Sequence, residues 1–210
     1  MALDWFPLWL SLRVAALATA LSLPAGLALA WLMAQRATRD RGPAGVMAAL
    51  PLALPPTVLG YYALALLAGQ GWLRFTWPAA VAAAMVQAIP LLAISARAAL
   101  EGLDRNYERA ARSLGASGWR VFWRVSLPLA RGPLAAAAAL AFARSLGDFG
   151  VTLMVAGFVP GRGEMLDAAL RQAAESGAGA PARVVAVLVS VAVIVVLALA
   201  GRLIPRQVQG

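Results

Sequence analysis

The chain has 210 residues, 62% hydrophobic and only 13% charged, with a mean hydropathy of +0.77. A soluble domain of this size carries about 25% charged residues, so the composition belongs to the membrane class. Cysteine and histidine are both absent and the net charge is +9, carried by eighteen arginines and no lysine, which excludes disulfides, thiolate or imidazole metal sites, cysteine nucleophiles and imidazole acid/base catalysis.

Crossing a bilayer takes about 20 apolar helical residues, and five segments qualify. The first, Val14 to Gln35, carries Pro24 and Gly26 in its middle; the second, Pro43 to Gly69, contains Pro51, Pro55 and Pro56. The third runs from Phe75 to Ala96 around Gln87 and Pro90, the fourth from about Gly132 to Gly157, and the fifth from Val184 to Gly201. The first is expected to be a span rather than a cleaved signal. Its apolar stretch is about twice the length of a signal core, and no small-x-small site leads into a soluble domain.

Arginine placement orients these spans. With the N-terminus outside, the cytoplasmic loops hold Arg36, Arg39 and Arg41, then Arg97, Arg105, Arg109, Arg112, Arg120, Arg124 and Arg131, then Arg202 and Arg206. The opposite side holds Arg13, Arg74, Arg162, Arg171 and Arg183. This asymmetry predicts N-terminus outside and C-terminus cytoplasmic. Arginines set between apolar spans are explained by topology better than by nucleic-acid binding, and no nucleic-acid partner is expected.

The longest cytoplasmic connection, between spans three and four, contains ERAARSLGASGWRVFWRVSLP from Glu108 to Pro128. Tyr107, Ala110, Ala111 and Leu114 recur at helical spacing on one stripe, while Arg105, Glu108, Arg109 and Arg112 take other faces. Gly115 suits a left-handed helix cap and Ser117 the start of a second helix. In that second helix Trp119, Phe122 and Trp123 share a face opposed by Arg120 and Arg124, and Pro128 opens a new element. Two short amphipathic helices joined at a glycine make a compact knob, fitted either to lie on lipid headgroups or to dock a cytoplasmic partner.

Two features of the spans point to movement of a solute. Prolines free backbone carbonyls at membrane depth, which is tolerable beside protein or water, and Pro55, Pro56 and Thr57 form a candidate gate. In ARSLGDFG, Arg144 sits roughly 18 Å along span four from Gly132 and Asp148 follows one turn later, so the two can pair. Both should face protein or a water-filled passage, either as a self-neutralised structural pair or as part of a path for an anion. No GxxxxGK[ST] loop and no pair of catalytic carboxylates occurs, so the chain is expected not to be an enzyme and to need no cofactor.

Ala110-Ala111, Gly115, Val125, Leu127 and Pro128 match, without a gap, the signature of permease subunits of bacterial ATP-binding-cassette (ABC) importers: Glu-Ala-Ala, three residues, Gly, nine residues, an aliphatic, one residue, Leu-Pro. Arg109 stands in the place of the signature Glu, with a carboxylate displaced to Glu108. Within that family the chain most resembles the molybdate permeases, through PLALPPTVLGYY (51 to 62), SARAALEGLD (95 to 104), LGASGWRVFWRVSLPLA (114 to 130) and FARSLGDFGVTLMVAGFVPG (142 to 161). Phe158 departs from a usual Asn and Gly163-Glu164 from a threonine-containing turn.

The resemblance implies an all-α polytopic membrane protein of the type I ABC importer permease (MetI-like) fold, with five transmembrane helices in one domain over residues 1–210. Residues 98–130 would be its cytoplasmic coupling loop. It further implies that Tyr107, Glu108, Arg109, Ala110, Ala111, Leu114, Gly115, Ala116, Ser117 and Gly118 couple to the ATPase. The implied partners are a second copy of the chain, two cytoplasmic ATP-binding subunits, an external solute-binding protein and the lipid of the bacterial inner membrane. The implied function is import of molybdate or tungstate. Sulfate or thiosulfate import is the alternative within transport, and a membrane scaffold that moves no solute is the alternative outside it.

Overall fold

The structure, a computed structural model, describes residues 6–35, 50–66, 76–147, 175 and 179–202. Every regular element among them is helical: α1 (Phe6–Gln35), α2 (Pro56–Leu66), α3 (Trp77–Glu101), α4 (Arg105–Ser113), α5 (Gly118–Val121), a π-helical turn (Phe122–Ser126), α6 (Leu127–Leu129), α7 (Arg131–Leu146) and α8 (Gly179–Arg202). α1, α3 and α7 pack on one another, α8 rests on α7, and α4 sits on α5 and the π turn.

Helix pairs in lipid gain little from excluding apolar surface and associate instead through close packing of small residues. The buried stripe of α1 is accordingly Ser11, Val14, Ala15, Ala18, Thr19, Ser22, Gly26 and Ala30, and that of α3 is dominated by alanine from Ala79 to Ala96. Val14 and Ala18 cluster with Ala80, Val81 and Ala84, whereas Gly26 lies against Leu92. Contacts that advance together along both helices make α1 and α3 parallel. In α7 the order reverses, Ala137 and Ala141 meeting Leu92 while Arg144 meets Gln87, so α7 runs antiparallel to α3.

α1 begins at Phe6 rather than at Val14. Arg13 does not end the apolar helix because its guanidinium lies over the Trp77 ring, 5.0 Å from the centroid, and a cation held on an aromatic face tolerates the edge of a membrane helix. α3 likewise extends to Glu101, past the expected Ala96, since Arg97 and Glu101 pair one turn apart at 2.6 Å.

Only two described helices are long and apolar enough to cross a bilayer, Phe6–Met33 and Trp77–Glu101; a third is added if Gly118–Leu129 and Arg131–Leu146, bent by 76°, count as one span. The described residues therefore contain two or three spans, not the five expected. Residues 50–53 are helical, the chain breaks at Leu54 and Pro55, and α2 adds only 11 residues. Much of the expected fourth span lies outside the described residues, and the fifth appears as the shorter apolar stretch Ala186–Arg202 within α8.

Candidate functional site

The knob has the architecture its residues dictate. Asp104 caps α4, its carboxylate accepting the Asn106 N–H at 2.9 Å. Glu108 in the first turn and Arg112 in the last complement the helix dipole. At the other end Gly115 has φ +81°, and the N–H groups of Gly115 and Ala116 donate to Arg112 O at 2.9 Å and Ala111 O at 3.1 Å. These bonds make a Schellman cap, which a left-handed glycine closes at little cost. Ser117 then caps α5, its hydroxyl accepting the Arg120 N–H at 3.4 Å.

α4 borders a cavity, with Glu108 half-buried and Arg105, Arg109 and Arg112 exposed. Arg105, Glu108, Arg109 and Arg112 line a cavity of about 640 Å³ together with Trp31 of α1 and Glu101 of α3. Of the expected apolar stripe, Leu114 is 88% and Tyr107 58% exposed. Ala110 is exposed and Ala111 half-buried. Within the second half of the knob, Trp119, Phe122 and Trp123 form a cluster with ring centroids 5.6 to 6.2 Å apart. Trp31 joins it at 5.7 Å from Trp119 and 5.8 Å from Phe122, so α1 braces α5.

The second helix runs on toward Pro128. It continues through the π turn, the Leu127 N–H reaching back to Phe122 O. Pro128 has no N–H to give to the carbonyl one turn behind it, and the widened turn accommodates that gap. Ser126 closes the π turn, 3% exposed, and donates its hydroxyl to Glu108 Oε1 at 2.7 Å. Glu108 Oε2 faces Arg112 Nη2 at 3.6 Å. Arg105 and Arg109 make no ion pair among the described residues.

Within the spans, Arg144 donates from Nη2 to Gln87 Oε1 across the α7–α3 interface. Gln87 lies ten residues after Trp77, or about 15 Å along α3 at 1.5 Å per residue, which is mid-bilayer depth. Helix register brings Ser22 and Thr19 of α1 to this level. Their hydroxyls and that of Ser145 are buried with no hydrogen-bond partner among the described residues. Asp148, expected to pair with Arg144, lies outside the described residues. The signal for Gln87 was present as one buried amide in a 25-residue apolar helix, but the helical period alone cannot say what it meets.

Pro55, Pro56 and Thr57 open α2. Pro55 O accepts the N–H groups of Val58 at 2.9 Å and Leu59 at 3.2 Å, the usual use of proline at a helix start. Leu59 packs on Ala79 and Ala83, one to two turns before Gln87 on α3. The three residues and Arg144 are on separate helices, with no described contact between them.

A family described as binding-protein-dependent transport system inner membrane component matches residues 22–209. The molybdenum transport system permease protein ModB of Escherichia coli (strain K12) is 38% identical over 179 residues, covering 80% of this chain and 78% of that one. A putative molybdenum transport system permease protein of Bacillus subtilis (strain 168) is 39% identical over 184 residues, covering 81% of each. The sulfate transport system permease protein CysT of Escherichia coli (strain K12) is 33% identical over 151 residues, covering 67% of this chain and 54% of that one. Among solved structures, a bacterial ABC transporter involved in the import of the acidic polysaccharide alginate has a TM-score of 0.69 at 14% identity, covering 93% of this chain and 77% of that chain. That likeness concerns the fold.

Proposed function

This chain belongs to the family of binding-protein-dependent transport system inner membrane components, and from that premise we infer that it is the permease subunit of an ATP-driven importer for molybdate or tungstate. It is a multi-pass protein of the bacterial inner membrane. The permease is not catalytic; ATP is hydrolysed by a separate ABC subunit.

The observation that carries the coupling role is the exposure of two large apolar side chains, Tyr107 and Leu114, on and at the end of α4. A helix lying on lipid headgroups would turn Tyr107 and Leu114 toward its own membrane end. Here both are exposed and await an apolar surface on another molecule, which fits a groove on the ATPase. Gly115 and Ser117 keep α4 and α5 as two short rigid pieces, so α4 can be gripped without unravelling its neighbour. The anion assignment is supported by similarity to molybdenum permeases over four fifths of the chain, whereas the sulfate relative covers less of both chains.

The parallel course of α1 and α3 is compatible with a five-span topology, and the placement of the N-terminus outside is supported by the arginine distribution. Two copies of the chain would enclose the path, with an ATP-binding subunit under each and a solute-binding protein above. The apolar exposed sides of α8, such as Val187 and Ile194, suit lipid or the second copy. ATP binding draws the two α4 helices together and opens the spans outward; hydrolysis returns them. In that cycle the Arg144–Gln87 contact offers a passing oxyanion a guanidinium at mid-depth, partly engaged by a neutral amide so that the anion is not held too tightly.

The test is reconstitution of the chain with its ATPase subunits and solute-binding protein, followed by uptake of molybdate, tungstate and sulfate. ATP-dependent uptake of molybdate or tungstate ahead of sulfate is expected. Sulfate preference would move the assignment to a sulfate importer, and absence of any uptake by an assembled complex would leave a scaffold.

A further inference from the structure

The two carboxylates of the cytoplasmic cavity are employed differently. Glu101 is held by Arg97 of its own helix. Glu108 spans 18 residues of sequence to Ser126, and among the described residues this is the one side-chain hydrogen bond joining α4 to another element. A hydroxyl donating to a carboxylate is charge-assisted and roughly twice as strong as a neutral bond. Its serine end is buried in a π turn, a departure from helix geometry frequent at functional sites. That turn leads through α6 directly into α7, the helix that carries Arg144.

We propose that Glu108 is a positioning residue for coupling, a carboxylate strut fixed to Ser126 through which travel of α4 is delivered to the foot of α7. The proposal rests on the coupling role inferred above. Arg112, 3.6 Å from Oε2, steadies the carboxylate and leaves Oε1 to the serine. With the strut in place, α4, the π turn and α6 move as one piece. Without it, α4 retains packing against α5 and the Schellman joint at Gly115, and a pull on α4 turns the helix about that joint instead of moving α7. The carboxylate that the family signature places one residue later stands at 108 in this chain, on the face that lines the cavity, and Arg109 beside it makes no ion pair among the described residues.

The experiment uses the full chain in complex with its ATPase subunits and solute-binding protein, and reads ATP hydrolysed per anion imported. Ser126→Ala removes a single hydroxyl and retains the packing; it should raise that ratio about tenfold, the equivalent of ~1.4 kcal/mol. Glu108→Ala should do the same, and the double variant should be no worse than either single one, because both remove the same bond. Ser126→Thr keeps the hydroxyl and should restore the parental ratio, a rescue that mere loss of packing would not give. A parental ratio in Ser126→Ala, additive effects in the double variant, or failure of threonine to rescue would overturn the strut. A parental complex that hydrolyses ATP without importing anion would instead overturn the coupling role, and the strut with it.

Discussion

Gly26 of α1 lies so near Leu92 of α3 that a Cβ on the glycine would stand 2.7 Å from the leucine Cβ. The same atom would meet Ile89 O and Ala93 N at 3.4 Å, so neither the side chain nor the backbone of α3 offers room. Gly26→Ala is therefore expected to push α1 and α3 apart and to destabilise the chain by about 1–3 kcal/mol, the usual cost of overpacking. Thermal unfolding in detergent measures it, with Gly201→Ala as the control because a Cβ there meets nothing within 4 Å. An unchanged midpoint for Gly26→Ala would show that the two helices are not in this register.

Arg144→Ala should lower anion flux about tenfold, ~1.4 kcal/mol of lost attraction for a passing oxyanion, while leaving assembly of the complex near parental. Gln87→Leu should reduce flux as well, because it strands the guanidinium at mid-depth without its amide partner. Uptake at saturating solute-binding protein is the measurement. Flux that stays parental in both variants removes the pair from the path.

Gly115→Val places a β-branched residue at φ +81°, where an L side chain costs roughly 1–2 kcal/mol. The surrounding space is open, with nothing within 4 Å of a Cβ, so the effect is one of backbone strain and not of collision. The joint between α4 and α5 should loosen, raising ATP turnover relative to uptake with insertion intact, and Gly115→Asn should be milder because Asn tolerates the left-handed region. Equal coupling in Gly115→Val and parent would count against a stiff joint.

Leu114→Glu alters a side chain that is 88% exposed and should leave the melting temperature of the permease unchanged. Copurification of the ATPase subunit should nevertheless fall sharply, since a carboxylate would have to be desolvated in an apolar groove. Stoichiometric copurification with Leu114→Glu would place the docking surface elsewhere.

The knob was the most legible part of the chain. Its start at Asp104 was not read, but the caps at Gly115 and Ser117, the stripe from Tyr107 to Leu114 and the Trp119–Phe122–Trp123 face all stand in the structure where local residue chemistry put them. The direction of that stripe was not legible. Helical spacing tells which residues share a face, and not whether that face is covered; in the structure Tyr107 and Leu114 are exposed. The same limit hid the contact of Gln87 with Arg144, because a partner on another helix leaves no trace in the period of either. Composition places span ends at Arg13 and Arg97, whereas the helices run past both charges. Both cations are held along the helix, one over an aromatic ring and the other by a carboxylate one turn on.

The 76° bend between the Gly118–Leu129 segment and α7 has its vertex at Ala130, which is wholly buried. A pivot enclosed on all sides resists sliding, so sideways drift of the lower limb would emerge as tilt of the upper one. Under the coupling role proposed above, the bend would act as a bell crank, and the residues of α7 farthest from Ala130 would swing through the widest arc at a distance from the docked subunit.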